Sequence, residues 1–267
     1  MKITKPLALA ALLATTVTAA CNFPTPGASG NPVGLGTLTS TAAGAAYTTS
    51  PSIGFYRLSG AAFLTSVAVI DTCFQAPYSD TPVATPPFQT PVTAGPFIEI
   101  RLGSRSDTLR RSTTGNDPEY TLVGSSGIPY TPGDSIVINV AGDPSGFPTS
   151  SFSGRTAEPF VLDDVVIPGP GAQLVASWNP PGGVGAAMLV SFQYSTAASS
   201  TLDRQIACTF VDDGGNAVPD NEASLWLGAT NRRVQAQRVR TIFEEVPIPR
   251  SFMNLVTAFT YVPPASP

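Results

Sequence analysis

Short apolar or alternating segments, each closed by turn residues about every 10 to 15 residues, constrain the fold of this chain more than any other feature. Ile206, Cys208 and Phe210, for example, alternate onto one face, as in a strand with one side in a core. The 27 prolines and 24 glycines supply the turns. One short helix is predicted, from Asp220 as N-cap to Gly228 as stop. The pattern therefore predicts an all-β protein.

The predicted strands are Gly54–Ser59, Phe63–Phe74, Phe97–Leu102, Glu119–Val123, Ser135–Ala141, Phe160–Leu162, Gln173–Trp178, Ala187–Tyr194, Arg204–Val211, Arg233–Ile242 and Leu255–Val262. Six prolines between Gln75 and Pro96 predict an irregular loop. The proline- and glycine-rich stretch 142–157 is the best boundary, dividing the chain into β-sandwich domains 34–155 and 156–267. One large sandwich is the alternative.

The N-terminal residues have the organisation of an export signal. Lys2 and Lys5 give a cationic start, an apolar run follows from Leu7 to Val17, and small residues precede Cys21. These features predict a signal peptide over residues 1–20. The apolar run is shorter than the roughly 20 residues that a membrane-spanning helix needs.

Cys21, directly after the small residues, resembles the modified cysteine of the bacterial lipoprotein lipobox, although Thr18 stands where that family prefers leucine. The resemblance implies that Cys21 carries an acyl anchor in membrane lipid. It also implies that the exported chain is held on the periplasmic or outer face of a membrane. The alternative is ordinary cleavage that leaves an unmodified cysteine. Residues 21–33, rich in Pro, Gly and Ser, are predicted to be a flexible tether.

The composition of the mature chain excludes many catalytic mechanisms. The chain has no histidine, and its only lysines are Lys2 and Lys5, so the mature part keeps 12 of the 14 basic residues, all arginine, against 18 acidic residues, a net charge of −6. Serine and cysteine triads, Schiff bases, P-loop lysines and histidine-bound metals are therefore ruled out. A net acidic chain is a poor ligand for nucleic acid. We predict neither a catalytic residue nor a cofactor.

Four features of the second half resemble a module of exported bacterial lipoproteins. They are the turn Trp178–Pro180, the apolar strand Met188–Tyr194, the run Cys208–Gly214 and the pair Val218-Pro219 before the short helix. The resemblance implies immunoglobulin-like β-sandwiches in the cell envelope and brings no catalytic residue.

Cys73 and Cys208 are the two cysteines that remain once Cys21 is acylated. In an oxidising compartment they can form a disulfide. The alternative is that each is a small buried side chain in a separate core. Geometry decides between them, and spacing alone does not supply it.

Arginines cluster at Arg232, Arg233, Arg238 and Arg240, and a second cluster comprises Arg101, Arg105, Arg110 and Arg111. In a lysine-free mature chain the first cluster is a candidate partner-binding strand, because arginine is favoured at interfaces. The alternative is a solvated face whose Arg238 and Arg240 pair with Glu244 and Glu245.

Asp212, Asp213 and Asn216 form a weak calcium candidate, because they are hard oxygen ligands in a glycine-containing loop. Their spacing does not match a calcium loop, and a hairpin turn explains the same residues.

Taken together, these features predict a non-catalytic, lipid-anchored interaction protein outside the cytoplasm. Its expected partners are membrane lipid and other envelope or membrane-complex proteins, and one concrete form is an extrinsic accessory subunit of a larger complex. The alternative is a carbohydrate-binding envelope module that uses Trp178 or Trp226 as an aromatic platform.

Overall fold

The computed structural model describes residues 31–43, 46–58, 71–79, 89–111, 119–124, 127–163, 165, 168, 172–181, 186–196, 201–247 and 250–261. Within these ranges the chain is predominantly β-strand with one short helix, which confirms the all-β prediction. Some individual elements match their predicted bounds closely. The alternating segments Phe97–Leu102 and Arg204–Val211 are strands with the predicted ends. The short helix is present, but Asp220, predicted as its N-cap, is its first helical residue, and the N-cap is Pro219, which makes no side-chain capping bond.

The strands are β1 (Pro32–Ala43), β2 (Ala46–Thr49), β3 (Ser52–Leu58), β4 (Thr72–Pro77), β5 (Gln89–Pro91), β6 (Phe97–Leu102), β7 (Arg105–Arg111), β8 (Glu119–Leu122), β9 (Ile128–Tyr130), β10 (Ser135–Val140), β11 (Ser150–Arg155), β12 (Val175–Ser177), β13 (Ala186–Tyr194), β14 (Arg204–Val211), β15 (Gly215–Ala217), β16 (Arg232–Pro247) and β17 (Arg250–Tyr261); helix α1 covers Asp220–Leu227. β1 begins inside the predicted tether, and β4 and β5 take up parts of the predicted proline-rich loop. Most of the predicted strand Phe63–Phe74 lies outside the described residues.

Contacts divide the chain into two compact units, each assembled from separate segments. Unit 1 draws on Met1–Ala68, Val83–Ala157 and Arg240–Ala258, and unit 2 on Val69–Pro82, Glu158–Val239 and Phe259–Pro267. β16 and β17 therefore contribute residues to both units. The contiguous domains 34–155 and 156–267 stay a prediction.

Unit 1 contains the strand order β11-β10-β6-β7-β8-β3-β1-β17-β16. Its strands share one apolar core, which includes Phe55, Ile100 and Leu109. β11 also approaches β16, where Gly154 lies directly against the Ile242 side chain. A Cβ atom at position 154 would collide with Ile242, so the close approach requires glycine.

A polar loop after β10 places an aromatic ring in this core. Asp143 anchors the loop: its carboxylate accepts hydrogen bonds from the Ser145 amide (2.8 Å) and hydroxyl (2.6 Å), and from the Thr93 hydroxyl. The Phe147 amide donates to the Thr93 carbonyl at 2.8 Å. Phe147 is consequently fully buried, with its ring centroid 4.6 Å from that of Phe55.

Unit 2 contains the order β16-β13-β14-β4 and a two-stranded sheet, β12-β15. Every residue of β13 is buried, so both faces of this strand are covered. On one face Trp178 stacks on Phe210, and Trp226 of α1 meets Phe192 edge-on. Because both tryptophans pack on the same sheet, they are core residues of unit 2.

The hydrogen bonds around Asp143 predict an unusual acid titration. The hydroxyls of Ser145 and Thr93 lower the pKa of Asp143 from 3.8 to about 2. The carboxylate therefore stabilises the folded state above pH 3.8, and this contribution is lost as the pH falls toward 2. We expect carboxyl NMR to show Asp143 titrating near pH 2. Ser145→Ala should raise that midpoint, and Asp213→Asn, in an exposed turn, should leave it unchanged. A wild-type midpoint near 4 would contradict the assignment.

Candidate functional site

Arg238 of β16 is fully buried and does not face solvent or a partner. Its Nε donates to Asp212 Oδ2 at 2.6 Å, and its Nη2 donates to Asp212 Oδ1 at 3.0 Å. Both side chains are 1% exposed. This two-point geometry matches the planar guanidinium to the carboxylate and forms a buried ion pair.

Two further hydrogen bonds join Arg238 to backbone carbonyls. Nη1 donates to the Pro159 carbonyl at 3.0 Å, Nη2 donates to the Asn179 carbonyl, and the guanidinium carbon lies 5.3 Å from the centre of the Phe160 ring. Placing Arg238 on an exposed strand face was therefore wrong. Alternation alone does not distinguish a charged residue that faces water from one that meets a buried carboxylate.

The other three arginines of that cluster are engaged within the chain. Arg232 stacks on Trp226, with its guanidinium carbon 4.9 Å from the ring centre. Arg233 donates from Nε to the Gln193 side-chain oxygen at 2.6 Å and from Nη2 to a tyrosine hydroxyl. Arg240 is 9% exposed. The cluster is thus mainly internal, and it does not form the cationic interaction strand that the sequence predicted.

The predicted pairing of Glu245 is also corrected. Its Oε1 accepts a hydrogen bond from Arg250 Nε at 2.8 Å, and both side chains are nearly half exposed. Arg250 lies across the β16–β17 connection, so this surface pair is local.

The calcium candidate is not assembled as a ligand set. Both oxygens of Asp212 bind Arg238, and Oδ1 also accepts the Trp178 indole N–H at 2.8 Å. Asn216 accepts the Ala217 amide with its side-chain oxygen at 2.8 Å, while Asp213 is exposed. Among the described residues, no group of three or more acidic, histidine or cysteine residues is placed to hold a metal ion.

Both tryptophans are unavailable as a sugar platform. Trp178 is 2% and Trp226 5% exposed. Their indole N–H groups donate to Asp212 and to the Gln193 carbonyl (3.2 Å), so their polar edges are satisfied inside the protein. The aromatic candidates for carbohydrate binding are therefore structural residues.

A disulfide joins Cys73 of β4 to Cys208 of β14. The two residues are direct partners in the antiparallel ladder, and their Cα atoms are 4.0 Å apart. The bond closes a sequence separation of 135 residues. It links neighbouring strands of one sheet within unit 2. Cys21, the predicted acylation site, lies outside the described residues.

An exposed polar surface lies on unit 1, and the sequence did not predict it as a site. It is the outward face of β6, β7, β10 and β11, and we name it the arginine face. Its defining residues are Phe97, Glu99, Arg101, Arg110, Asn139 and Arg155, all of them exposed.

The ladder register fixes this arrangement. Arg110 is opposite Phe97, and Asn139 is opposite Glu99 on the other side of β6. The Asn139 amide nitrogen donates to Glu99 Oε2 at 3.1 Å, and Ser151 donates its hydroxyl to the Asn139 side-chain oxygen at 2.8 Å. A hydrogen-bonded polar row therefore crosses three strands in the middle of the face.

The arginine face carries a local positive charge on an acidic chain. Arg101, Arg110 and Arg155 stand against Glu99, so this outward surface holds three cations and one anion. Within the described part of the chain, no hydrogen bond, ion pair or ring contact of these three guanidiniums is present. Among the described residues, these guanidiniums therefore have no pair to break before an anionic group binds.

Breaking the buried ion pair should destabilise unit 2 strongly. We expect Arg238→Ala to lower the free energy of unfolding by about 3–5 kcal/mol, because Asp212 would be left buried and unpaired. Arg250→Ala is the matched control and should cost less than about 1 kcal/mol, since its pair is exposed. Urea denaturation of both variants measures the difference. Equal effects would contradict the role given to Arg238.

Removing the disulfide should also weaken the fold. Cys73→Ala combined with Cys208→Ala should lower the free energy of unfolding by about 2–5 kcal/mol, because the unfolded chain regains the freedom of a long loop. Urea unfolding of the oxidised wild type and the variant gives this value. Reductant should shift the wild-type transition toward that of the variant and leave the variant unchanged. A wild type insensitive to reductant would argue against the bond.

Within the described residues, no helix is both long and apolar enough to cross a membrane. Comparison of the chain with protein-family models, with curated proteins and with solved structures found no match.

Proposed function

We propose that this chain is a non-catalytic, lipid-anchored extracytoplasmic interaction protein, acting as an extrinsic accessory subunit of a larger membrane protein complex. The observation that carries the proposal is the arginine face, an exposed surface whose three cations have no internal partner among the described residues. Partner docking uses such a surface directly, whereas a chemical reaction requires a converging set of reactive groups.

Three described residues have shifted pKa values, and none of them is shifted toward neutrality. General acids and bases work best with a pKa near the working pH. Here hydroxyl and amide donors lower the pKa of Asp143 and of Asp203, while burial raises the pKa of Tyr130. Each of these shifts moves the group away from neutrality. Together with the absence of lysine and histidine from the mature sequence, they favour binding over catalysis.

Two immunoglobulin-like sandwiches remain part of the proposal. Unit 2 supports it through the buried Trp178, which stacks on the sheet residue Phe210. One feature differs from antibody domains, where the disulfide bridges two sheets. Cys73 and Cys208 instead join adjacent strands of a single sheet. The proposed likeness therefore concerns the layered architecture and the buried tryptophan.

Anchoring through Cys21 is the first test of the proposal. Cys21→Ser should move the protein from the membrane fraction to the soluble fraction, because the signal alone cannot replace acyl chains. Fractionation followed by immunoblotting measures this, with the Cys73→Ala/Cys208→Ala variant as a control that keeps the anchor. If Cys21→Ser and inhibition of lipoprotein signal peptidase both leave attachment unchanged, the lipid anchor is wrong.

A further inference from the structure

We propose that the arginine face docks onto an acidic surface of a partner protein, with Arg101 and Arg110 as its principal charge contacts. This inference rests on the proposed function and names the chemistry of its partner. It starts from the strand register, which places both arginines on the same side of the sheet. Along β6 their rows are four residues apart, about 13 Å, so they can reach two separate carboxylates.

The net charge of the arginine face indicates which class of partner it can bind. The face is positive, while the mature sequence carries −6 overall. Two identical copies meeting face to face would bring together six arginines and only two glutamates, which is unfavourable. A carboxylate-bearing surface satisfies each guanidinium by two parallel hydrogen bonds. Phe97, 41% exposed and opposite Arg110, adds an apolar contact beside the charges.

The presence of Glu99 on the arginine face favours a protein partner over an anionic membrane. Its carboxylate is fixed by Asn139 in the middle of the face. Lipid headgroups of one sign would repel this group, whereas a folded protein can offer a donor to it. The hydroxyl of Ser151 donates its hydrogen to Asn139, and its oxygen can still accept a hydrogen bond from such a protein. A mixed polar row thus favours protein recognition over nonspecific attraction to a charged bilayer.

The area of the face indicates how strong the contact is. Four strands and six residues cover about 20 Å by about 15 Å, or about 300 Å². A standard interface buries about 800 Å² on each partner. The face is therefore the centre of a larger contact or a weak contact by itself, and an anchor in the same membrane would raise the effective concentration.

Site-specific photo-crosslinking in native membranes tests the inference. The full anchored chain carries p-benzoylphenylalanine at position 97, and the probe is the set of proteins present in those membranes. We expect an adduct of one defined mass whose partner peptide contains Asp or Glu. Arg101→Glu together with Arg110→Glu should reduce its yield at least about tenfold, while Arg204→Glu, an exposed arginine of unit 2, should leave it unchanged. Circular dichroism checks that all variants are folded.

Exchanging the charges of the arginine face and the partner is the decisive part of the experiment. Replacing the crosslinked partner's acidic residues by arginine should restore the adduct with the Arg101→Glu/Arg110→Glu chain. An adduct that survives charge reversal, a product with lipid or glycan, or a product with a second copy of this chain would overturn the inference. The inference is also overturned if no adduct forms although the wild type still attaches through Cys21 and co-purifies with a complex. That result would leave the proposed function standing. Loss of attachment and of co-purification together removes both.

Discussion

The ion pair between Arg238 and Asp212 is the interaction on which unit 2 most depends. It joins β16 to the end of β14, and the same guanidinium binds the carbonyls of Pro159 and Asn179. Separated stretches of chain therefore meet around one buried cation. The pair contributes specificity because any shift of register leaves a charge unpaired in the interior, an arrangement far less favourable than the observed one.

The two tryptophans show how this network extends into the core. Trp178 donates to Asp212 and stacks on Phe210, so one side chain satisfies a polar requirement and fills apolar space. Trp226 repeats the arrangement, donating to Gln193 and packing on Phe192. Aromatic residues with one polar atom suit such positions, because the sheet buries their rings only if the N–H finds an acceptor. Their burial serves the architecture and leaves the recognition surface to other residues.

Hydrophobic alternation predicted the strands that have one exposed and one buried face. It did not predict strands that consist mainly of polar residues. In β6, Ile98 and Ile100 alternate with exposed residues, so the sequence predicted where this strand begins and ends. β11, Ser150–Arg155, contains a single large apolar residue and was assigned to a domain boundary, although it forms the edge of the sheet beside β10. Its pairing partners fix it as a strand, and such long-range partners are invisible to local propensity. For this reason Arg101 and Arg110 were recognised only as members of a sequence cluster, and the face that β7 and β11 complete was not predicted. The burial of Arg238 could not be predicted for a similar reason, because Asp212, the carboxylate with which it pairs, is 26 residues away in sequence.

An acidic chain whose polar face gathers arginines that have no partner among the described residues gains selectivity more than affinity. Exposed charge pairs contribute little each, so the arginine face alone would bind the proposed acidic partner weakly. A tether such as that predicted for residues 21–33 would hold the protein within a few tens of ångströms of the membrane, since about a dozen flexible residues span on average about 20 Å. In that layer a weak contact is repeatedly sampled at high local concentration, and the charge pattern decides which neighbour retains the protein. In the function proposed here, anchor and face would therefore be complementary: the first would supply occupancy, and the second would supply discrimination.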